Sequence, residues 1–333
     1  MRVGVYCICK NEKDFIERCF NSIKQTDEIV ICDTGSTDGT LELLEKLSKN
    51  YPKLTVKNIH VNPWRFDDAR NVALYSLSED IDVCISIDAD EMLEPGWYDI
   101  LSAHVNEDLK VNGKISDRYH HRFKTVWDWD KESLNVSEHW HERIHSRHGY
   151  RWQLPVHEVL VKCDGTPEII KWMPNFWMIQ YPDTTKSRSS YLPLLEQSVK
   201  EDPKRWKTLS FLAGEYVSTG RHDEAIGAIK QAVDVEGSDR AFLYYQLSTV
   251  YQRKGDLYQA VIELQSSCRL APNVREYCVY LAKLCLSGNL KTEAMIAIRK
   301  AENITERTYG YEYNPEAWGV QFDELRDKIE GLT

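Results

Sequence analysis

The chain has 333 residues, 42% hydrophobic and 28% charged, with a formal net charge of −10. That length accommodates two domains with separate cores, and the acidic balance argues mildly against tight binding to phosphate backbones. No apolar run approaches the roughly 18 residues of a membrane span. A first strand beginning at Arg2-Val3 leaves no room for a leader, so a cytoplasmic protein without a membrane partner is expected. The nine cysteines are scattered without a Cys-x-x-Cys spacing and read as buried, reduced thiols.

Up to about residue 105, strands and helices alternate. Val3 to Cys9 is apolar enough to be buried on both faces of a sheet. Phe15, Ile16, Cys19, Phe20 and Ile23 recur at helical spacing, and Ile29 to Cys32 is a second buried strand. Ser36-Thr37-Asp38 offers N-caps to a helix carrying Leu41, Leu44 and Leu47. Leu54 to Val61 reads as a third strand, Asp68 to Leu77 as a helix, and Val83 to Ile87 as a fourth strand. Such alternation predicts a mostly parallel, doubly wound sheet with its ligands at the carboxyl ends of the strands. Residues 106 to 180 lose this periodicity and concentrate histidine and tryptophan, as in a strand-and-loop extension that completes a site.

After a helical stretch around Lys186 to Lys200, Tyr216, Gly220 and Ala225 recur as Tyr251, Gly255 and Ala260. A third copy puts Ala294 at the position of Ala260. This period resembles the tetratricopeptide repeat, a helix hairpin that must stack on neighbours to bury its apolar face. Residues 203 to 303 hold three such units, and Pro315 to Ile329 reads as a terminal capping helix.

The strand ends carry the chemistry. The first runs into Lys10-Asn11-Glu12, the second into Asp33-Thr34-Gly35-Ser36-Thr37-Asp38-Gly39, and the fourth into Asp88-Ala89-Asp90-Glu91; Asp67-Asp68-Ala69-Arg70-Asn71 opens the intervening helix. Asp88 and Asp90 lie two apart, so both can face one side and share Mg²⁺ or Mn²⁺ with phosphate oxygens. Asp33 is placed either to meet a base or ribose or to cap the turn before Gly35. Arg70 is placed either to neutralise phosphate or to pair with Asp67 or Asp68. His139-Trp140-His141, with His145 and His148, raises a zinc hypothesis, although no cysteine lies near. Trp127, Trp129, Trp140 and Trp152 suggest a stacking floor for a sugar or flipped base.

In this order, the four segments resemble the family-2 inverting glycosyltransferases of the GT-A fold over most of residues 1 to 95. Trp152-Gln153-Leu154-Pro155-Val156-His157-Glu158 is similar to the Val-His-Glu segment of bacterial members. The resemblance implies an α/β GT-A catalytic domain over residues 1–182, a helical linker over 183–202 and an all-α tetratricopeptide-repeat domain over 203–333. It implies a UDP-sugar donor, with Asp33 at uracil, Asn11 and Glu12 beside the nucleotide, Asp88 near the ribose and Arg70 at the diphosphate. Asp90, with Asp88, would hold the metal, and His157 would touch diphosphate or metal. Direct displacement needs a general base, for which Glu158 is the candidate with Glu91 behind it. Repeat-bearing relatives usually carry a His-x-Gly-Tyr-like element where this chain has Trp177-Met178-Ile179-Gln180-Tyr181, so one metal ligand is missing unless His157 compensates.

Three acceptors are compatible: a protein or peptide, a glycan, and a hydroxymethylated base in DNA. Repeats favour a protein partner and allow self-association into a homo-oligomer. The DNA reading rests on eight Lys or Arg between residues 114 and 151. A catalytically silent, nucleotide-binding scaffold is the alternative outside enzyme chemistry.

Overall fold

The structure, a computed structural model, describes residues 1–127, 135–183, 191–308 and 314–331. The chain divides into two compact units, Met1–Arg188 and Ser189–Thr333.

In the first unit the apolar runs Val3–Cys9, Glu28–Asp33 and Val83–Ser86 are strands covered on both faces, whereas the third strand is largely exposed. β1 (Val3–Cys9) lies between β2 (Glu28–Asp33) and β4 (Val83–Ser86), with β3 (Leu54–Asn58) outside β2, and all four are parallel. Val3, Val5, Cys7 and Cys9 enter one core with Ile16, Cys19, Phe20 and Ile23 of α1 (Ile16–Ile23) and Leu44 of α2 (Thr40–Asn50). Tyr6 enters the core on the opposite face, with Ala73 and Leu74 of α3 (Phe66–Tyr75).

Two expected boundaries shift for local reasons. The third strand stops at Asn58 rather than Val61, because Asn58 pairs with Asp33, the last residue of β2, and no ladder exists beyond it. Residues 106 to 112 are not extension; they complete α4 (Trp97–Asn112), which ends on Gly113 at φ 70°.

The extension itself is made of strands. β6 (Arg118–Trp127) and β7 (Asn135–Ser146) form a long antiparallel pair, and β10 (Ile170–Gln180) lies parallel to β6. With β5 (Glu91–Leu93) they extend the sheet to eight strands in the order β3-β2-β1-β4-β7-β6-β10-β5. β7 joins antiparallel to β4, with Ile85 opposite Ile144. A separate hairpin, β8 (Tyr150–Gln153) and β9 (Val159–Lys162), packs Tyr150, Trp152 and Leu160 over α3.

The second unit is helical. α5 (Tyr191–Glu201), where a linker was expected, packs on α6 (Trp206–Ser218), Tyr216 donating to Glu196 at 3.2 Å. α6 pairs with α7 (His222–Val233), α8 (Arg240–Lys254) with α9 (Leu257–Leu270), and α10 (Arg275–Ser287) with α11 (Lys291–Glu302). Gly220 and Gly255 take φ of 76° and 84° at their turns, and Asn289, the equivalent position in the third hairpin, takes 57°, a value asparagine tolerates. α12 (Gly319–Glu330) closes the last core with Phe322 and Ile329. Among the described residues, no helix is long and apolar enough to cross a membrane.

The repeated alanines, Ala225, Ala260 and Ala294, are each completely buried. They set how closely the helices of a hairpin approach. Ala260→Leu is therefore expected to overpack the second hairpin and cost about 1–3 kcal/mol, read as a lower midpoint in urea; an unchanged midpoint would show that the contact has room to spare.

Candidate active site

Two loops at the carboxyl end of the parallel strands are tied to each other by side chains. Asn11, in a left-handed conformation (φ 55°), accepts from the Thr37 N–H at 2.8 Å, and its own N–H donates to Ser36 Oγ at 2.8 Å. The Glu12 N–H donates to Thr40 Oγ1 at 2.8 Å, and Asp38 accepts from the N–H groups of Lys13 and Thr40. Asp33 is fully buried: Oδ1 accepts from Gly35 and Ser36, both at 2.9 Å, and Oδ2 faces Cys9 Sγ at 3.8 Å. Its carboxylate holds the turn rather than standing open to a base, while Gly35 supplies the φ of 101° that the turn needs.

The end of β4 is the electrostatic centre. Asp88 is bridged between two guanidiniums, Oδ1 to Arg70 Nη2 at 2.8 Å and Oδ2 to Arg143 Nη1 at 2.7 Å. These two cations hold its carboxyl well below the usual carboxylate range, against the effect of burial. Arg70 also pairs through Nε with Glu158 and reaches Ser86 Oγ through Nη1 at 3.4 Å. The pairing with Asp67 or Asp68 does not form, because Arg65 engages both, at 2.8 and 3.6 Å. Arg70 is free to turn inward from α3.

Glu158 is brought to Arg70 by a clamp. Asn71, next to Arg70 on α3, donates to the Trp152 carbonyl and accepts from the Trp152 N–H, both at 2.9 Å. The Phe66 N–H donates to Pro155 O. These bonds hold the start of the Trp152–Glu158 segment against the helix that carries Arg70.

Glu91 lies beneath Asp88. It is completely buried, accepts from the Asp88 N–H at 2.8 Å and from Arg143 Nη1 at 2.9 and 3.0 Å. Burial pushes its carboxyl up to about 8, more than the pull of Arg143 lowers it. Asp90 is half-buried and meets an amide rather than a cation: Gln180 Nε2 donates to Oδ2 at 3.1 Å. Burial and the neighbouring Asp88 charge raise Asp90 to about 6.

Residues 5–165 match the glycosyl transferase family 2 profile, and residues 243–274 match a tetratricopeptide repeat. Residues 5–165 are a family-2 glycosyltransferase domain. The chain is 33% identical over 101 residues to the lipopolysaccharide core biosynthesis glycosyltransferase LpsC of Rhizobium meliloti (strain 1021), covering 30% of this chain and 35% of that protein. It is 29% identical over 119 residues to chondroitin synthase of Escherichia coli, covering 33% of this chain and 16% of that one. The crystal structure of S. aureus TarS aligns over 79% of this chain and 55% of that one, with 14% identity and a TM-score of 0.47. The alignments thus span well under half the length of these curated relatives.

Several residues of this family-2 domain depart from the roles their sequence positions suggested. Glu91 is sealed from any acceptor and is a structural acid, so it is no reserve base. His157 sits exposed at φ 49°, and it does not join Asp88 and Asp90: among the described residues, no three His, Cys, Asp or Glu side chains come together as a metal-holding group. The same finding removes the histidine zinc site. His145, for one, is a satisfied core residue between Tyr6 Oη at 2.9 Å and the Ser146 carbonyl at 2.7 Å. Trp152 is no stacking floor, since it is buried in the core with Nε1 donating to Tyr6 Oη at 2.8 Å. Trp140 lies exposed against Trp172, and Trp129 falls outside the described residues.

Among the described residues, the basic stripe between 114 and 151 does not form a continuous surface. Arg118 pairs with Glu142 and Glu168, Arg122 and Lys124 pair with Glu138, and Arg147 is buried, donating to the carbonyls of Leu77 and Ser78. Arg143 faces the acidic cluster, and Lys131 lies outside the described residues. Of the eight, Lys114 and Arg151 stand exposed.

Two site residues were not singled out from the sequence: Arg143 and Gln180. The signal for Arg143 was the alternation of His139, His141, Arg143 and His145 along one face of a strand. Gln180 occupies the stretch where a histidine was expected.

Proposed function

We propose that the chain is an inverting glycosyltransferase that moves a sugar from a UDP-sugar to a protein, peptide or glycan acceptor. The observation that carries this reading is the cluster at the end of β4. Two guanidiniums, Arg70 buried and Arg143 half-buried, share one carboxylate, with Glu158 and Asp90 beside them, where a doubly wound sheet receives its ligand. UDP is the nucleotide implied by the Asp33 position, although Asp33 acts here through the turn it holds.

In the displacement the acceptor oxygen bonds to the anomeric carbon as the bond from that carbon to the diphosphate breaks. The acceptor's proton passes to Glu158, one oxygen of which is fixed by Arg70. Positive charge at the end of β4 opposes the negative charge that accumulates on the departing diphosphate. Asp90, a half-buried carboxylate whose proton affinity is raised by burial and by Asp88, fits a hard divalent cation, whereas both oxygens of Asp88 are already engaged. Asp90 would thus hold Mg²⁺ or Mn²⁺ through one carboxylate, with phosphate and water completing the shell. Such an ion would supply Lewis-acid stabilisation of the leaving group.

Paired arginines argue for a protein, peptide or glycan over DNA as acceptor. The helical repeats suit a peptide partner or self-association, and the proposal keeps the cytoplasm as the site of action. A screen of UDP-sugars for UDP release, with Mn²⁺ or chelator, against peptide, glycan and DNA pools tests the reading. No UDP release from any UDP-sugar, with or without acceptor, would instead support the silent scaffold. Glu158→Gln should lower turnover by about 10²- to 10⁴-fold with nucleotide binding retained; full activity in that variant removes Glu158 as the base.

A further inference from the structure

Arg70 is the guanidinium that sequence position assigns to the diphosphate, yet each of its nitrogens already has a partner. Nε pairs with Glu158, Nη2 with Asp88 at 2.8 Å, and Nη1 reaches Ser86 Oγ at 3.4 Å. Its side chain is 7% exposed.

Arg143 is held in another way. One nitrogen, Nη1, makes its hydrogen bonds, to Asp88 Oδ2 at 2.7 Å and to the two oxygens of Glu91 at 2.9 and 3.0 Å. Among the described residues, neither Nε nor Nη2 donates to a protein group, and neither is among the nitrogens sealed without a partner. The side chain keeps 16% of its surface open, beside an Asp88 that keeps 25%. A guanidinium pinned by one nitrogen is fixed in place with its other donors unspent. Two such donors in a planar fork match two oxygens of a phosphate. Because the position is set before the ligand arrives, little ordering cost remains on binding.

We propose that Arg143 binds the diphosphate of the donor directly, that Asp88 and Glu91 position it, and that Arg70 is the brace that fixes Asp88. This rests on the glycosyltransferase reading above and changes which residue meets the leaving group. Nothing in the roles implied by family resemblance pointed to residue 143, which lies on the antiparallel extension and not on the parallel half of the sheet.

The test compares a nucleoside diphosphate with its nucleoside by titration calorimetry in magnesium buffer, using UDP and uridine first and the GDP, CDP and dTDP pairs in parallel. In the wild type the diphosphate should bind more tightly than the nucleoside. Arg143→Gln should erase about ten- to a hundredfold of that preference while nucleoside affinity stays constant. Should that variant fail to fold, Arg143→Lys serves: its ammonium has three protons, which the three carboxylate oxygens around the former Nη1 position use up, so it folds and still loses the preference. A wild type that binds no nucleoside diphosphate defeats the functional reading itself. A wild type with the preference, and folded variants that keep it or that lose nucleoside and diphosphate affinity equally, overturn the role of Arg143 alone.

Discussion

Asp90→Ala is expected to remove turnover, by at least about a thousandfold, while the protein remains folded and its melting temperature changes little. Loss of several kcal/mol of transition-state stabilisation gives that rate factor. The fold is spared because Asp90 carries no ion pair: its carboxylate meets only the amide of Gln180 at 3.1 Å among the described residues. Removing a half-buried carboxylate that burial and Asp88 both disfavour relieves the site instead of breaking it. Release of UDP at the wild-type rate by a folded Asp90→Ala protein would remove Asp90 from the chemistry. A variant that unfolds would show that the Gln180 contact matters more to stability than its geometry indicates.

Arg70→Ala should behave in the opposite way, failing in stability before it fails in rate. The side chain is 7% exposed, joins Asp88 to Glu158, and lies over the Trp152 ring with 5.2 Å from its guanidinium carbon to the ring centroid. Its removal leaves two carboxylates short of a counter-ion, one of them deep in the site. Breaking a buried pair by deleting one partner costs about 3–5 kcal/mol, and the lost stacking adds to this. Denaturant titration of the front unit's transition should register that loss in full. A change below about 1 kcal/mol, the range of an exposed pair, would mean that solvent reaches the cluster and that Arg70 is not a brace.

Together the two substitutions separate what Asp88-Ala89-Asp90 looks like from what it does. Read along the chain, the two aspartates can share one metal ion, Asp90 as its main holder and Asp88 also near the ribose. In the folded protein Asp88 is the shared counter-ion of two arginines, whereas Asp90 meets only the amide of Gln180 among the described residues and is the carboxylate proposed above for a cation.

Much was legible without coordinates, because it depends on neighbours a few residues away. Apolar runs such as Val3–Cys9 identify strands covered on both faces, the recurrence of Ala225, Ala260 and Ala294 identifies stacked hairpins, and Asp88 to Glu91 announce themselves at a strand end. Periodicity and turn chemistry are local, so they survive in one dimension. The pairing of distant segments is not. Arg143 meets Asp88 only because β7 docks antiparallel on β4 with Ile144 opposite Ile85, which brings residue 143 level with the last residue of β4. Burial likewise reassigned Glu91 and Asp33, whose carboxylates look available in the chain and are sealed in the fold. Sequence thus determined the frame and the acidic end of the site. Tertiary structure alone decided which charges are spent on one another and which remain for a ligand, since that depends on register and desolvation between elements that no local pattern encodes.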